Sequence, residues 1–467
     1  MKLYKKDFPF YSKVFTLALP IALQSFITVG VNMIDNVMVG KLGDNALSAV
    51  SQANSFISIY QILCMGLGMG ASVLVSRYWG ILQVEKDNKD ASKALKQTIS
   101  LMIRLTLLLA AVFAIATFFF PDKIMASYSN EEPIINFGIQ YLSYSIVTYF
   151  FVGTSMTTTI ALRSVGQVRM PLYISIGAFF INILANYSFI FGNLGAPKLG
   201  VAGAALGTLV ARVFEFSIIC GYLFVVDKRI GFKLRHLFMN VSSLISEYVR
   251  ICVPVLISDG ILALGNNSVA QVIGHLGGAF VAATAITNST QQLSTVVIQG
   301  ISQAGAIVTG QTLGMKDKDK TMEQGYLFLG LGLALGTLSA VFIMCMSGVI
   351  IGAFDVTPEA AHIATRIMIS LCIITVFQAT NSIMTKGVLR GGGDTKMLML
   401  ADNVFLWVFA LPLGILAGYY FKLSPFFIYL ALKSDQIIKT IWCYFRLKSG
   451  KWIKKISTGD NSSAEKD

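Results

Sequence analysis

Charge is scarce in this chain of 467 residues: Asp, Glu, Lys and Arg together supply 13%, against about a quarter in an ordinary soluble domain. Histidine is scarcer. His236, His275 and His362 stand far apart with no ligand-like spacing, which argues against a histidine metal centre. The six cysteines, Cys64, Cys220, Cys252, Cys345, Cys372 and Cys443, fall in apolar runs and form no CxxC pair. Neither disulfides nor a zinc site is expected, and no cofactor. No nucleophile and base form a constellation, so an enzyme is not expected. The glycine-rich stretch Gly391–Lys396 lacks the GxxxxGK[ST] spacing and follows an apolar run rather than a strand, which excludes a phosphate loop. Without a nucleotide-binding domain, energy for any transport must come from an ion gradient. No A-x-A cleavage site follows the first apolar run, which is expected to stay as a membrane helix.

What the chain does have is apolar residues, 55% of the total, with a mean hydropathy of +0.68. Runs long enough to cross a bilayer, about 20 residues, lie near 13–36, 49–77, 98–120, 135–162, 170–192, 200–226, 247–271, 281–310, 325–353, 361–389, 397–421 and 424–446. They predict an all-α integral membrane protein of about twelve transmembrane helices. The net charge of +13 is not gathered on one domain, and no nucleic-acid partner is expected. Basic residues recur instead in alternate connections. Lys2, Lys5 and Lys6 precede the first span, Arg77 and Lys86 follow the second, Arg163 and Arg169 the fourth, Lys316 and Lys318 the eighth, and Lys448 to Lys455 the last. The intervening connections, at Glu131 or at Asp355–Glu359, are short and poor in Lys and Arg. This positive-inside pattern, with an even number of spans, puts both termini in the cytoplasm of a multi-pass plasma-membrane protein.

The basic stretch Asp227–Glu247 is the longest candidate linker. It predicts an N-terminal six-helix lobe over 1–226, a cytoplasmic linker over 227–246, a C-terminal six-helix lobe over 247–456 and a disordered polar tail over 457–467. The halves repeat. A shift that carries Pro20 to Pro254 also carries Asn32 to Asn266, Gly40 and Gly43 to Gly274 and Gly277, Asn54 to Asn288 and Gly80 to Gly314. A second register pairs Leu162, Arg163 and Gly166 with Leu389, Arg390 and Gly393. Shared apolar composition does not align Pro, Asn and Gly in one register. Parallel repeats predict two like bundles around a central cavity, the arrangement alternating access uses. Such a two-lobed chain can work as a monomer.

Ionisable residues inside spans are the candidates for chemistry, because each costs at least a few kcal/mol there and faces a cavity or a partner. Asp35 lies far from either end of the apolar stretch Pro20–Gly43. It is the expected ion-coupling residue, with a structural carboxylate near the helix end as the alternative. Asn182 and Asn186 are four apart and share one helix face. Beside Asp35 they offer oxygens that suit a hard cation, making these three the metal ligands only if the coupling ion is Na+; helix–helix hydrogen bonding is the competitor. Thr208 is a weaker ligand candidate. Arg212 and Glu215, three apart, favour a neutralised structural pair; a Glu215 freed of its partner would be a second proton site. Asp259 follows Pro254 by five residues and is another candidate for coupling. Its repeat partner is Ser25, and that of Asp35 is Val269, so the repeat is asymmetric at the acids. Asp402 suits a structural or gating role at least as well as coupling. Lys433, Asp435 and Lys439 are expected to pair and snorkel near a membrane edge. Gln24, Gln52, Gln61, Gln291, Gln292, Gln378 and Asn381 are candidates to line a polar cavity.

Pro20, Asp35 and Gly40-Lys41-Leu42-Gly43 resemble the first helix of multidrug and toxic compound extrusion (MATE) transporters. Gly387 to Thr395 resembles that family's loop after its tenth helix, and Asn182, Asn186-Tyr187 and Phe191-Gly192 its fifth helix. The resemblance covers nearly the whole chain. It implies two six-helix lobes and, by a protein embedded in the lipid bilayer, cation-coupled efflux of bulky, often cationic, organic compounds out of the cytoplasm, with the first-helix aspartate in ion coupling. Some members carry an aspartate where Asn186 stands, a departure that leaves the ion open between H+ and Na+. The alternative is a flippase for a lipid-linked oligosaccharide from the same superfamily, which typically has more spans and a more cationic cavity.

Overall fold

The computed structural model describes residues 8–352, 354 and 357–454. Lys2, Lys5, Lys6, Asp355, Lys455 and the expected tail over 457–467 lie outside them. The described residues form helices and no strand. In chain order these are α1 (Phe8–Gly40), α2 (Asp44–Val84), α3 (Lys89–Phe119), α4 (Pro121–Ala126), α5 (Glu132–Ser164), α6 (Arg169–Phe191), α7 (Val201–Gly221), α8 (Ser242–His275), α9 (Gly278–Gly314), α10 (Lys318–Gly352), α11 (Pro358–Ser382), α12 (Thr395–Val404), α13 (Leu411–Ile415), α14 (Pro425–Leu432) and α15 (Ser434–Lys448). Wide π-helical turns carry α7 on to Val226 and α11 on to Leu389, and join α12 to α13.

Among the described residues, ten helical stretches are long and apolar enough to cross a membrane, and α9, bent by 44° near its middle, makes an eleventh. The last expected run, 424–446, is broken at Lys433 into α14 and α15. Local chemistry sets many boundaries. The Asn88 side chain caps α3 by accepting from the Ala91 N–H at 2.9 Å. Prolines open α4, α5, α11 and α14, where no backbone donor is lost.

The helices divide into two compact units. One holds Leu23–Leu82 and Asp87–Cys252; the other holds the described residues up to Ala22, Gln83–Lys86, and those from Val253 onward. The division therefore runs within α1 and α8, whereas the lobes expected from sequence part at the linker 227–246. Pro20 and Pro254 lie within two residues of the two crossings, where the missing N–H loosens the helix. The repeat is written in the backbone as well. Gly43 and Gly277, partners in the first register, both take positive φ, 111° and 109°; Gly166 and Gly393, partners in the second, take 81° and 84°. Side chains rarely tolerate such turns.

In the N-terminal unit, α6 and α5 both pack on α7, and α3 on α5. Tyr60, Cys64, Ala110, Ala114, Tyr149 and Val152 form a buried cluster there. In the C-terminal unit, α10 lies against α11 through Gly332 and Gly336. A Cβ at these positions would fall 2.9 Å from Thr380 Cα and 2.7 Å from Val376 Cα. Small residues spaced four apart let two membrane helices approach this closely.

Candidate functional site

Five helices of the N-terminal unit bring polar side chains together. The Asn186 amide on α6 donates from Nδ2 to Asp35 Oδ1 on α1 at 2.6 Å and to Asn182 Oδ1, one turn back, at 3.3 Å. Asn182 and Asn186 are buried, 3% and 1% exposed, and Asp35 is half-buried. From α5, the Tyr141 hydroxyl donates to Asn54 Oδ1 on α2 at 3.2 Å; it also engages Thr208 on α7 and interacts electrostatically with Asp35. Gly207, next to Thr208, lets α6 seat against α7, since a Cβ there would stand 2.1 Å from Asn186 Oδ1. That Oδ1 is buried and has no hydrogen-bond partner among the described residues.

Charges extend the cluster. Arg212 pairs with Glu215 at 2.6 Å and acts electrostatically on Asp35 from beyond contact. On the far side, Arg163 acts on Glu215 and donates to the Gln24 carbonyl oxygen, while Gln24 Nε2 donates to Ser175 at 2.7 Å. Two arginines and two carboxylates thus alternate from Arg163 to Asp35. The expected pair Arg212–Glu215 is present and leads to the candidate coupling residue. Asp35, Asn182, Asn186, Thr208, Arg212 and Glu215 are gathered into one cluster.

Asp259 and Asp402 belong to the other unit. Asp259 pairs with Arg390 at 3.7 Å. Lys439 lies between two carboxylates, 3.3 Å from Asp402 and 3.1 Å from Asp435. The pairing expected of Asp435 and Lys439 is there, but snorkelling is not: each is only 2% exposed, because α15 turns them inward onto Asp402. Asp394 of the glycine-rich loop is held bidentately by Arg446 at 2.6 and 3.0 Å, an anchoring role. Arg77 and Arg390, placed in connections by their sequence positions, are buried at 5% and 6% exposure.

Several participants carry weak sequence signals. Tyr141 is one of 17 tyrosines and has none. Asn54 stands out only as a repeat position. Gly207 forms, with Gly203, a small-residue spacing of four within an apolar run.

The MatE family profile matches residues 20–188 and 254–416, two segments that start at the repeat partners Pro20 and Pro254. Among curated relatives, the "Uncharacterized transporter YisQ" of Bacillus subtilis is 25% identical over 95% of each chain. The "Probable multidrug resistance protein NorM" of Thermotoga maritima is 25% identical over 94% of this chain and 92% of its own. The fold is that of a solved outward-facing "multidrug resistance MATE family transporter of the MOP superfamily": TM-score 0.83 at 18% identity, covering 94% of this chain and 96% of that one. A MOP superfamily transporter from Pyrococcus furiosus matches similarly, with TM-score 0.82 at 20% identity over 94% and 96%.

Proposed function

The chain belongs to the MatE family of membrane transporters, and on that premise we propose that it is a secondary active antiporter, exporting organic compounds, drugs and often cations among them, in exchange for H+ or Na+. The observation that carries the coupling site is the Asn186 amide group, whose Nδ2 bridges Asp35 Oδ1 and Asn182 Oδ1 while its own oxygen is buried and unpaired.

Both coupling ions fit this arrangement, and both require the same change. Sodium held by Asp35 and Asn182 takes the place of the bridging N–H group, and Asn186 turns its idle oxygen inward as a third ligand. A proton on Asp35 converts an acceptor into a donor, which again calls for the Asn186 oxygen. Either ion also neutralises the charge that Arg212 faces, loosening Arg212 from Asp35 while Glu215 keeps it. Because Asn186 packs directly on Gly207, its turn alters the α6–α7 contact. Ion entry thereby repacks the unit and weakens its hold on substrate, the differential contact that coupling needs. The protein works as a monomer in the plasma membrane with both termini cytoplasmic.

The test is dye efflux in inside-out vesicles, with Na+ and pH gradients imposed separately. Ethidium movement driven by one of them supports antiport and identifies the ion. Movement indifferent to both overturns it.

A further inference from the structure

A second polar region lies in the C-terminal unit. Within this unit is a cavity of about 470 Å³, a size that suits a small organic molecule. Among the described residues, its walls include the amides of Asn288, Gln291, Gln292, Gln299 and Gln378 and one charged side chain, Lys386, and no carboxylate. Gln291 donates to Gln378, which ties α9 to α11 across the wall. Lys386 lies inside an apolar span, Pro358–Leu389, on the wide turn that continues α11. Every other residue of that turn is buried; Lys386 alone opens into the cavity.

The charges around Lys386 leave it as the open one. Asp259 and Asp402 attract it, and Arg390 and Lys439 repel it. Yet Asp259 already has Arg390 at 3.7 Å, and Asp402 and Asp435 share Lys439 at 3.3 and 3.1 Å. Lys433 acts on Asp435 as well. Three carboxylates therefore face four cations. Among the described residues, Lys386 makes no hydrogen bond and no ion pair within contact distance. An ammonium within a span, here three residues from its end, calls for water or a ligand to answer it. Amide N–H groups beside it add donors, and an organic cation would meet only repulsion from the one charge on the wall.

We propose that this cavity is a recognition subsite for a carboxylate on the transported compound, with Lys386 as its ion-pairing residue and the wall amides as further donors. The substrate class is then zwitterionic or acidic amphiphiles. This rests on the exporter reading above for its physiological meaning, although the binding itself does not.

The test uses purified full-length protein and two fluorescent probes, a dansylated amino acid with a free carboxylate and its methyl ester. The wild type is expected to bind the acid more tightly by about tenfold or more, the scale of a charge-assisted hydrogen bond. Lys386→Gln should erase that preference and leave ester affinity unchanged, which also reports an intact fold; Lys386→Arg should retain it. Equal affinity of the wild type for acid and ester, failure to bind either, or a preference that survives Lys386→Gln overturns the proposal. The wild-type comparison decides the matter even where the variant fails to fold. Gradient-driven efflux of ethidium and of the dansylated acid, measured separately, distinguishes the two failures: efflux of either without acid preference in binding removes only the subsite, and acid preference with efflux of neither removes only the exporter.

Discussion

Replacing Gly207 with alanine tests whether the close seating of α7 on α6 holds the coupling cluster together. The new Cβ would lie 2.1 Å from Asn186 Oδ1 and 2.9 Å from the Asn186 backbone nitrogen. The side-chain oxygen can swing aside. The backbone nitrogen moves only if the helices part. Overpacking of this kind costs about 1–3 kcal/mol. Swinging Asn186 away also removes a hydrogen bond to a carboxylate, worth about 1.5–3 kcal/mol where the acceptor is charged. Gly221, at the end of the same helix, meets nothing within 4 Å of its ideal Cβ, so Gly221→Ala should stay within about 0.5 kcal/mol of wild type. Thermal unfolding in detergent and vesicle efflux read the two effects. Gly207→Ala should be destabilised by at least 1 kcal/mol (about the lower overpacking cost) and should lose most of its gradient-driven efflux. A Gly207→Ala protein as stable and as active as Gly221→Ala would refute the packing described for Asn186.

Three further outcomes are expected. Lys439→Met should destabilise by about 3–5 kcal/mol, because it leaves Asp402 and Asp435 without their shared cation, the usual result of stripping one partner from a buried ion network; thermal unfolding checks it. Gly336→Leu should separate α10 from α11, since even a Cβ would reach 2.7 Å from Val376 Cα, and loss of monodisperse protein on size exclusion would show this. His236, in the loop between α7 and α8, should titrate below the ordinary histidine value, held down by partial burial and by Lys96, Arg235 and Lys233. Its Nδ1 accepts the Lys233 N–H at 2.9 Å in the neutral form. The stabilisation it gives is therefore present above the unfolded-state pKa and lost as pH falls through the folded one; an NMR titration of the imidazole checks the direction.

The helical membrane fold was legible because apolar runs and the alternation of basic connections are properties of sequence alone. So was the repeat, whose aligned glycines recur as matched positive-φ turns at Gly43 and Gly277. The Asp35, Asn182 and Asn186 cluster was legible because i, i+4 spacing fixes a shared face and an intramembrane acid asks for company. Tyr141 was hidden, since only the tertiary packing of α5 brings it near Asp35. The crossings within α1 and α8 were hidden too, because hydropathy marks where a helix runs and not which neighbours its two halves choose. Lys386 had a signal, a lone lysine inside an apolar run, but its lack of a partner emerges only once Arg390 and Lys439 are seen to take the nearby carboxylates.

The most direct test of the coupling account is efflux by Asp35→Asn under the two imposed gradients, beside thermal unfolding of the same protein. An asparagine at this position keeps an oxygen that can accept from Asn186 and loses only the charge and the titratable proton. A stably folded variant whose gradient-driven efflux is abolished is the predicted result. Efflux at the wild-type rate, from protein expressed and folded as the wild type is, would contradict it and turn attention to Asp259.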